Sequence, residues 1–166
     1  MIIINNSGFL KYKKLKFRCS LGKAGIGAKK REGDNITPKG TFRIVKIYYR
    51  KDRIKKINTK FNLLEIKKKM GWCDDPKSKK YNKLITLPSK YGHEKLYRKN
   101  NAYDLIVVIN YNTNPILKNK GSAIFIHLTT NILKKTMGCV GMLKKDLIKL
   151  LLIVNKNTKI RIVNTT

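Results

Sequence analysis

Ser122-Ala-Ile-Phe-Ile-His-Leu-Thr-Thr-Asn-Ile-Leu-Lys-Lys-Thr-Met-Gly-Cys-Val-Gly-Met142 is the stretch on which the reading of this chain turns. Its first half, Ala123 to Leu128, is a short apolar run of the kind that forms a buried strand. Its second half passes through a polar loop to Gly138-Cys139, so a strand and its returning neighbour are expected to face His127 and Cys139 towards each other. A thiol near its ordinary pKa is only a few per cent thiolate at neutral pH, and an imidazole brought across to it would activate it as a nucleophile. The same two residues also fit a structural role, because histidines at strand ends commonly hydrogen bond within cores and cysteine is among the most buried residue types. Twelve positions of spacing do not separate these readings, since Cys-His signatures do not transfer between families.

Working outward, Met1 to Asn5, Lys14 to Cys19, Thr41 to Arg50, Tyr103 to Tyr111, Ser122 to His127 and Thr158 to Val163 are rich in Ile, Val, Phe and Tyr and bounded by Gly, Asn or Pro. These runs read as strands of a mainly β domain, a sheet sandwich or barrel. Lys144 to Val154 reads as a helix, with Leu147, Leu150, Leu151 and Val154 at i, i+3, i+4 and i+7. No Ser, Thr, Asp or Asn precedes it as a cap, although Asp146 in its first turn suits the helix dipole. Thr37-Pro38-Lys39-Gly40 reads as a turn. The basic, weakly periodic segment Asp52 to Lys69 reads as a mobile loop beside a cleft.

Several segments together resemble the L,D-transpeptidase catalytic domain (YkuD-like) family, in its short single-domain branch. Thr136-Met137-Gly138-Cys139 fills the family's Ser/Thr-His-Gly-Cys pattern in all but its histidine. Lys30-Arg-Glu-Gly-Asp-Asn-Ile-Thr-Pro-Lys-Gly-Thr-Phe-Arg43 is similar to an early family segment, and Gly71-Trp-Cys-Asp-Asp-Pro76 with Tyr81-Asn82 to a central loop. His93-Glu94, Tyr103-Asp104 and Gly121 to His127 follow in order. The resemblance implies a β-sandwich or barrel with a few short helices, one of them after the catalytic cysteine. It implies Cys139 as nucleophile and His127 as general base, acting on peptidoglycan stem peptides through a thioester that is passed to an amine or to water. Backbone N–H groups around Gly138, Cys139 and Val140 are the expected oxyanion donors. Thr136 would orient the loop or the histidine, or serve as an ordinary turn residue. Trp72 would line or mould the substrate cleft, and Tyr111 would hydrogen bond a peptide. His93-Glu94 reads either as a polar pair near the site or as surface loop. Met137 stands where better-known members carry a second histidine, and Gly141 where many carry an arginine.

Composition frames these expectations. A chain of 166 residues suits one domain, residues 1–166, able to bury a substantial core, and a monomer is expected. The net charge of +30, from 39 Lys plus Arg against 9 Asp plus Glu, points either to a polyanionic partner such as an anionic cell wall or membrane surface, or to a compositional bias in which Lys, Ile and Asn rise together. The charge is spread along the chain, and with no RNP-like aromatic motif, zinc knuckle or helix-turn-helix a nucleic-acid partner is not expected. A non-catalytic wall-binding domain is the nearer rival to an enzyme. Neither a metal nor a cofactor is expected, because there is no Cys-x-x-Cys and the two histidines stand 34 residues apart. The three cysteines, Cys19, Cys73 and Cys139, allow a Cys19–Cys73 disulfide or three free thiols. The apolar run at Met1 to Ile4 is too short for a secretory leader and no segment reads as a membrane span. Resemblance implies the periplasm or cell envelope, and a cytoplasmic site stays open.

Overall fold

The computed structural model describes residues 1–165. Its strands are β1 (Ile2–Asn5), β2 (Phe9–Tyr12), β3 (Leu15–Ser20), β4 (Ile26–Gly27), β5 (Thr37–Pro38), β6 (Gly40–Tyr49), β7 (Leu63–Glu65), β8 (Met70–Cys73), β9 (Leu84–Thr86), β10 (His93–Lys95), β11 (Leu105–Ile109), β12 (Phe125–Leu128), β13 (Val140–Met142) and β14 (Lys159–Val163). The helix α1 (Lys144–Ile153) follows β13 directly and is the one α-helix among the described residues. The resemblance suggested a few short helices; the segments between the strands are instead turns and extended loops.

The main sheet runs β11-β12-β13-β3-β2-β1-β14-β6-β7, and β11 also pairs with β6, so eight strands close into a barrel with β7 outside on β6. Closure removes the exposed edges that an open sheet would have to protect. Alternation then sorts the side chains. Leu105, Val107 and Ile109 of β11, Ile126 and Leu128 of β12, and Val140 and Met142 of β13 fill the interior with Ile2, Ile4, Leu10, Ile160 and Ile162. Leu147, Leu150 and Leu151 of α1 join this interior, as the helical spacing predicts. The helix begins at Leu143 without a side-chain cap.

The opposite face of β11 and β12 carries Ile106, Val108 and Phe125, which pack against Tyr48, Ile66, Trp72, Leu96 and Tyr103 in a second core. A three-stranded sheet, β10-β8-β9, brings Trp72 to this layer. β11 is therefore buried on both faces, which accounts for its unbroken Leu-Ile-Val-Val-Ile sequence.

Two expectations are corrected. Thr37-Pro38 is not a turn but the short strand β5, parallel to β4, with Thr37 fully buried and its Oγ1 accepting from Gly22 N at 2.8 Å. The segment from Asp52 to Lys69 is anchored by buried Ile54, Ile57 and Ile66, by β7 pairing with β6 and by the Arg53–Asp104 ion pair at 3.1 Å; none of its residues lines the main cavity. Its apolar residues are spaced irregularly because each docks separately. No helix of the described residues is long and apolar enough to cross a membrane.

Candidate active site

β12 and β13 run parallel, with Ile126 opposite Val140, His127 opposite Gly141 and Leu128 opposite Met142. Because side chains alternate along a strand, the even-numbered residues face the barrel interior and Phe125, His127, Cys139 and Gly141 share the outer face. Cys139 immediately precedes β13, which makes it the diagonal neighbour of His127 on that face. Both side chains line a cavity of about 850 Å³, large enough for a peptide segment. The sheet thus brings together the two residues that the sequence singles out.

The surroundings of Cys139 are closely specified. The Cys139 thiol donates to Ala123 O at 3.1 Å, and its sulfur accepts from Phe125 N at 3.4 Å. Ala123 holds φ at +51°, an unfavourable conformation for a residue with a Cβ, and its N–H donates to Asn82 Oδ1 at 3.1 Å. The same Asn82 oxygen accepts from Trp72 Nε1 at 2.9 Å, while Asn82 Nδ2 donates to Asn112 O at 2.7 Å. Thr136 Oγ1 donates to Cys139 O at 2.6 Å and accepts from Gly138 N at 3.1 Å. The Thr136 backbone is tied in turn to Leu21 O and Lys23 N. Gly138 has φ +131°, and a Cβ there would lie 2.9 Å from Ile36 O, so the residue before the cysteine has to be glycine.

Gly141 is glycine for a packing reason. A Cβ at this position would lie 2.2 Å from Ser20 Oγ, so any side chain here requires Ser20 to move. Val140 is fully buried and belongs to the β13 ladder. Met137 is exposed at the cavity rim.

His127 Nδ1 lies 2.9 Å from Leu128 O. A carbonyl only accepts, so in this contact Nδ1 carries the proton and Nε2 is the basic nitrogen. Burial, reinforced by the charge of Arg98, lowers the imidazole pKa below its ordinary 6.5, against the opposing effect of the Leu128 carbonyl. Burial also pushes the Cys139 thiol up to about 12. The resting pair is therefore a neutral thiol beside a neutral imidazole.

Against His127 stands an aromatic and charged group in which the sequence had pointed to Glu94, as half of a polar pair near the site, but not to roles for Tyr103 or Arg98. The Tyr103 ring meets the imidazole edge-on at 5.5 Å. The Arg98 guanidinium lies 3.7 Å over the Tyr103 ring and is ion-paired with Glu94, which also accepts from Tyr103 Oη at 3.4 Å. The short spacing Glu94-x-x-x-Arg98 before an aromatic was the available signal. His93 itself is not in the cavity lining; its Nδ1 contacts Tyr91 O at 2.7 Å.

Trp72 and Tyr111, expected in the cleft, lie outside the cavity lining. Trp72 is buried and packs edge-on against Phe125 at 5.2 Å, moulding the wall behind Cys139. Tyr111 packs against Phe42 and donates to Lys120 O at 2.5 Å. All three cysteines are free, with Cys19 and Cys73 buried on different sheets, so the alternative Cys19–Cys73 disulfide is not formed. Among the described residues no group of three or more His, Cys, Asp or Glu side chains is placed to hold a metal ion.

The sequence matches the family model of the L,D-transpeptidase catalytic domain over residues 1–162. The fold is similar to that of the helical cell shape determining protein Pgp2 from Campylobacter jejuni, with a TM-score of 0.51 and 14% identity over 98% of this chain and 46% of that one. An L,D-transpeptidase from Mycobacterium smegmatis aligns at a TM-score of 0.44 and 11% identity, covering 98% of this chain and 57% of that one. The chain spans about half the length of these structures. No curated protein matches the sequence.

Proposed function

The chain belongs to the L,D-transpeptidase catalytic-domain family, and on that premise we propose that it is a cysteine acyltransferase acting on the stem peptides of peptidoglycan in the cell envelope. The observation that carries this reading is the shared face of Cys139 and His127 on the β12–β13 pair, open to one cavity.

As a stem peptide enters, His127 Nε2 takes the thiol proton and the sulfur attacks the carbonyl carbon of an L-configured centre. Burial favours the neutral form of each group, so proton transfer to His127 accompanies attack. The tetrahedral oxyanion is stabilised by backbone donors at the Gly138–Cys139 turn: the Cys139 N–H, joined by that of Gly138 when it exchanges Thr136 Oγ1 for the substrate. Val140, held in its strand, supplies packing. The imidazolium then protonates the departing D-amino acid, leaving a thioester on Cys139. An amine completes transpeptidation and water completes carboxypeptidase action. The closed barrel keeps the two side chains in register, and Thr136 braces the turn between them.

The test is release of the terminal D-amino acid from a tetrapeptide stem, followed for the native protein and two variants. Cys139→Ala abolishes release, and His127→Ala lowers it roughly 100- to 10,000-fold. Turnover by Cys139→Ala at the native rate removes the proposal.

A further inference from the structure

Charge is unevenly placed around the barrel. Nine carboxylates stand against 39 Lys and Arg, and four of the nine, Glu32, Asp74, Glu94 and Asp104, line the cavity of Cys139. No Asp or Glu occurs from Met1 to Arg31, from Asn35 to Lys51 or from Leu147 to Thr166. Those segments supply β1, β2, β3, β14 and the half of β6 that pairs with β14. In the closed order β11-β12-β13-β3-β2-β1-β14-β6, β1 stands four strands from β12 in either direction. The wall without carboxylates therefore lies across the barrel from the strand that carries His127.

The outer face of that wall is cationic from strand to strand. Lys16 stands opposite Lys11 and Arg18 opposite Phe9, Lys11 opposite Ile3, Ile3 opposite Arg161, and Lys159 opposite Arg43. All six cations are exposed, and none forms an ion pair among the described residues. Like charges directly opposite in a sheet are destabilising, yet the Lys11–Lys16 and Arg43–Lys159 pairs both occur here with no carboxylate between them. The array crosses four strand intervals, about 19 Å along the sheet. At its centre, on β1, Ile3 is 38% exposed. Beside it on β2, the Phe9 ring is covered by Lys16 Nζ at 3.9 Å and by the Arg18 guanidinium at 5.3 Å. None of these residues lines the main cavity.

We propose that the outer face of β3, β2, β1, β14 and the first half of β6 is a docking surface for an anionic phospholipid bilayer. The barrel wall is convex, with Ile3 at its crest and the long Lys and Arg side chains on its flanks. Their charged ends reach the phosphates while Ile3 meets the boundary between headgroups and acyl chains. Attraction of Lys and Arg to an anionic leaflet fades within a Debye length, about 10 Å at 0.1 M salt. That range favours the wall without carboxylates over the cavity side, where four carboxylates offset the cations. A nucleic-acid strand fits less well, because surfaces that hold single strands stack bases on open aromatic rings, and the ring on this face is capped by cations. The inference stands apart from the acyltransferase reading, since it concerns how the barrel is seated and not what Cys139 does. Seated on this wall, the protein turns its cavity away from the bilayer.

The experiment sediments the whole chain with vesicles of phosphatidylcholine alone or mixed with phosphatidylglycerol, in about 0.1 M salt. Two variants lose the same charge in different places. One carries Lys11→Gln, Lys16→Gln, Lys159→Gln and Arg161→Gln on the wall; the other carries Lys67→Gln, Lys68→Gln, Lys69→Gln and Lys83→Gln, exposed positions beside the small sheet. The native protein should bind the mixed vesicles and not the neutral ones. At roughly fivefold per cation near the surface, the wall variant should partition on the order of 100-fold less and the other variant less than tenfold less. Equal losses in the two variants, or a native protein that ignores the mixed vesicles, overturn the proposal. Binding to a single-stranded oligonucleotide that the wall variant loses, with vesicle binding unchanged, gives the face to nucleic acid and also overturns it. A second measurement needs no change of charge. Indole placed on the wall by Phe9→Trp should be quenched by vesicles with brominated acyl chains, beyond the Trp72 background. Indole placed by Leu133→Trp, at a position 77% exposed beside the cavity-lining Lys134, should not be, and equal quenching of the two overturns the seating.

Discussion

Asn82 is the residue whose loss should travel furthest, and the structure sets the size of the effect. Its Oδ1 accepts from Trp72 Nε1 and Ala123 N, and its Nδ2 donates to Tyr111 O and Asn112 O. The residue is 5% exposed, so an Asn82→Ala change leaves these four groups poorly reached by water. Stranding a buried donor costs about 1–3 kcal/mol, and two donors are stranded here. Asn82 also holds φ at +55°, where alanine costs about 1 kcal/mol more. Together these give a destabilisation of roughly 3–7 kcal/mol, a large part of a typical folding free energy. For a domain of this length that lowers Tm by on the order of 10 °C. The assay is urea unfolding followed by Trp72 fluorescence, with thermal melting beside it. Asn82→Asp keeps the acceptor and the tolerance of positive φ while losing the donors, so it should fall between native and Asn82→Ala. Because Ala123 O holds the Cys139 thiol, Asn82→Ala should also slow D-amino acid release at temperatures where it is fully folded. A loss under 1 kcal/mol, or an Asn82→Asp variant less stable than Asn82→Ala, refutes the reasoning.

Four other outcomes are expected. His127 must be neutral to accept a proton and its pKa is lowered, so the acid limb of kcat/KM should lie below pH 6.5, and Arg98→Gln, which removes a repelling charge, should move it upward; a limb above pH 6.5 in the native protein contradicts this. With its thiol raised to about 12, Cys139 should react with iodoacetamide at a rate that climbs through pH 9 without levelling, as read by peptide mapping, and a plateau near pH 7 would reveal a preformed thiolate. Gly141→Ala should cost about 1–3 kcal/mol through the clash with Ser20 Oγ, and Ser20→Ala should recover part of it in a double-mutant cycle, since that hydroxyl has no partner to lose; strict additivity counts against the clash. Thr136→Val removes both hydrogen bonds of the turn and should lower kcat by roughly tenfold with KM little changed, which steady-state kinetics will show.

Much of this architecture is readable from residue patterns. The long β-branched runs became β1, β3, β6, β11, β12 and β14, and the apolar stripe of α1 faces the barrel interior. What escaped was the set of short strands. β8, β9 and β10 have three or four residues each, too few for alternation to show, and their pairing is set by the second core around Trp72 and Phe125. β2, Phe9-Leu-Lys-Tyr12, is likewise only four residues long, and its register is set by pairing with β1 on one side and β3 on the other. At the site, His127 and Cys139 could be named because the segments around them resemble the family's, whereas their spacing alone left a structural role open. Tyr103, Arg98 and Asn82 could not be assigned roles in advance, since a stack or a hydrogen-bond hub is defined by partners from distant segments. Trp72 illustrates the converse: the sequence left it either lining or moulding the cleft, and its indole N–H, bonded to Asn82 behind the wall, places it in the second role.

The central claim is that Cys139 is acylated with His127 as its base, and intact-mass spectrometry of the protein quenched during turnover of a tetrapeptide stem tests it most directly. The native protein should gain the mass of the stem less its terminal D-amino acid, located to Cys139 by fragmentation. Cys139→Ala should gain nothing, and His127→Ala should acquire the adduct far more slowly. No adduct on native protein that cleaves the stem, or the same adduct on Cys139→Ala, would contradict the assignment of this thiol as the nucleophile.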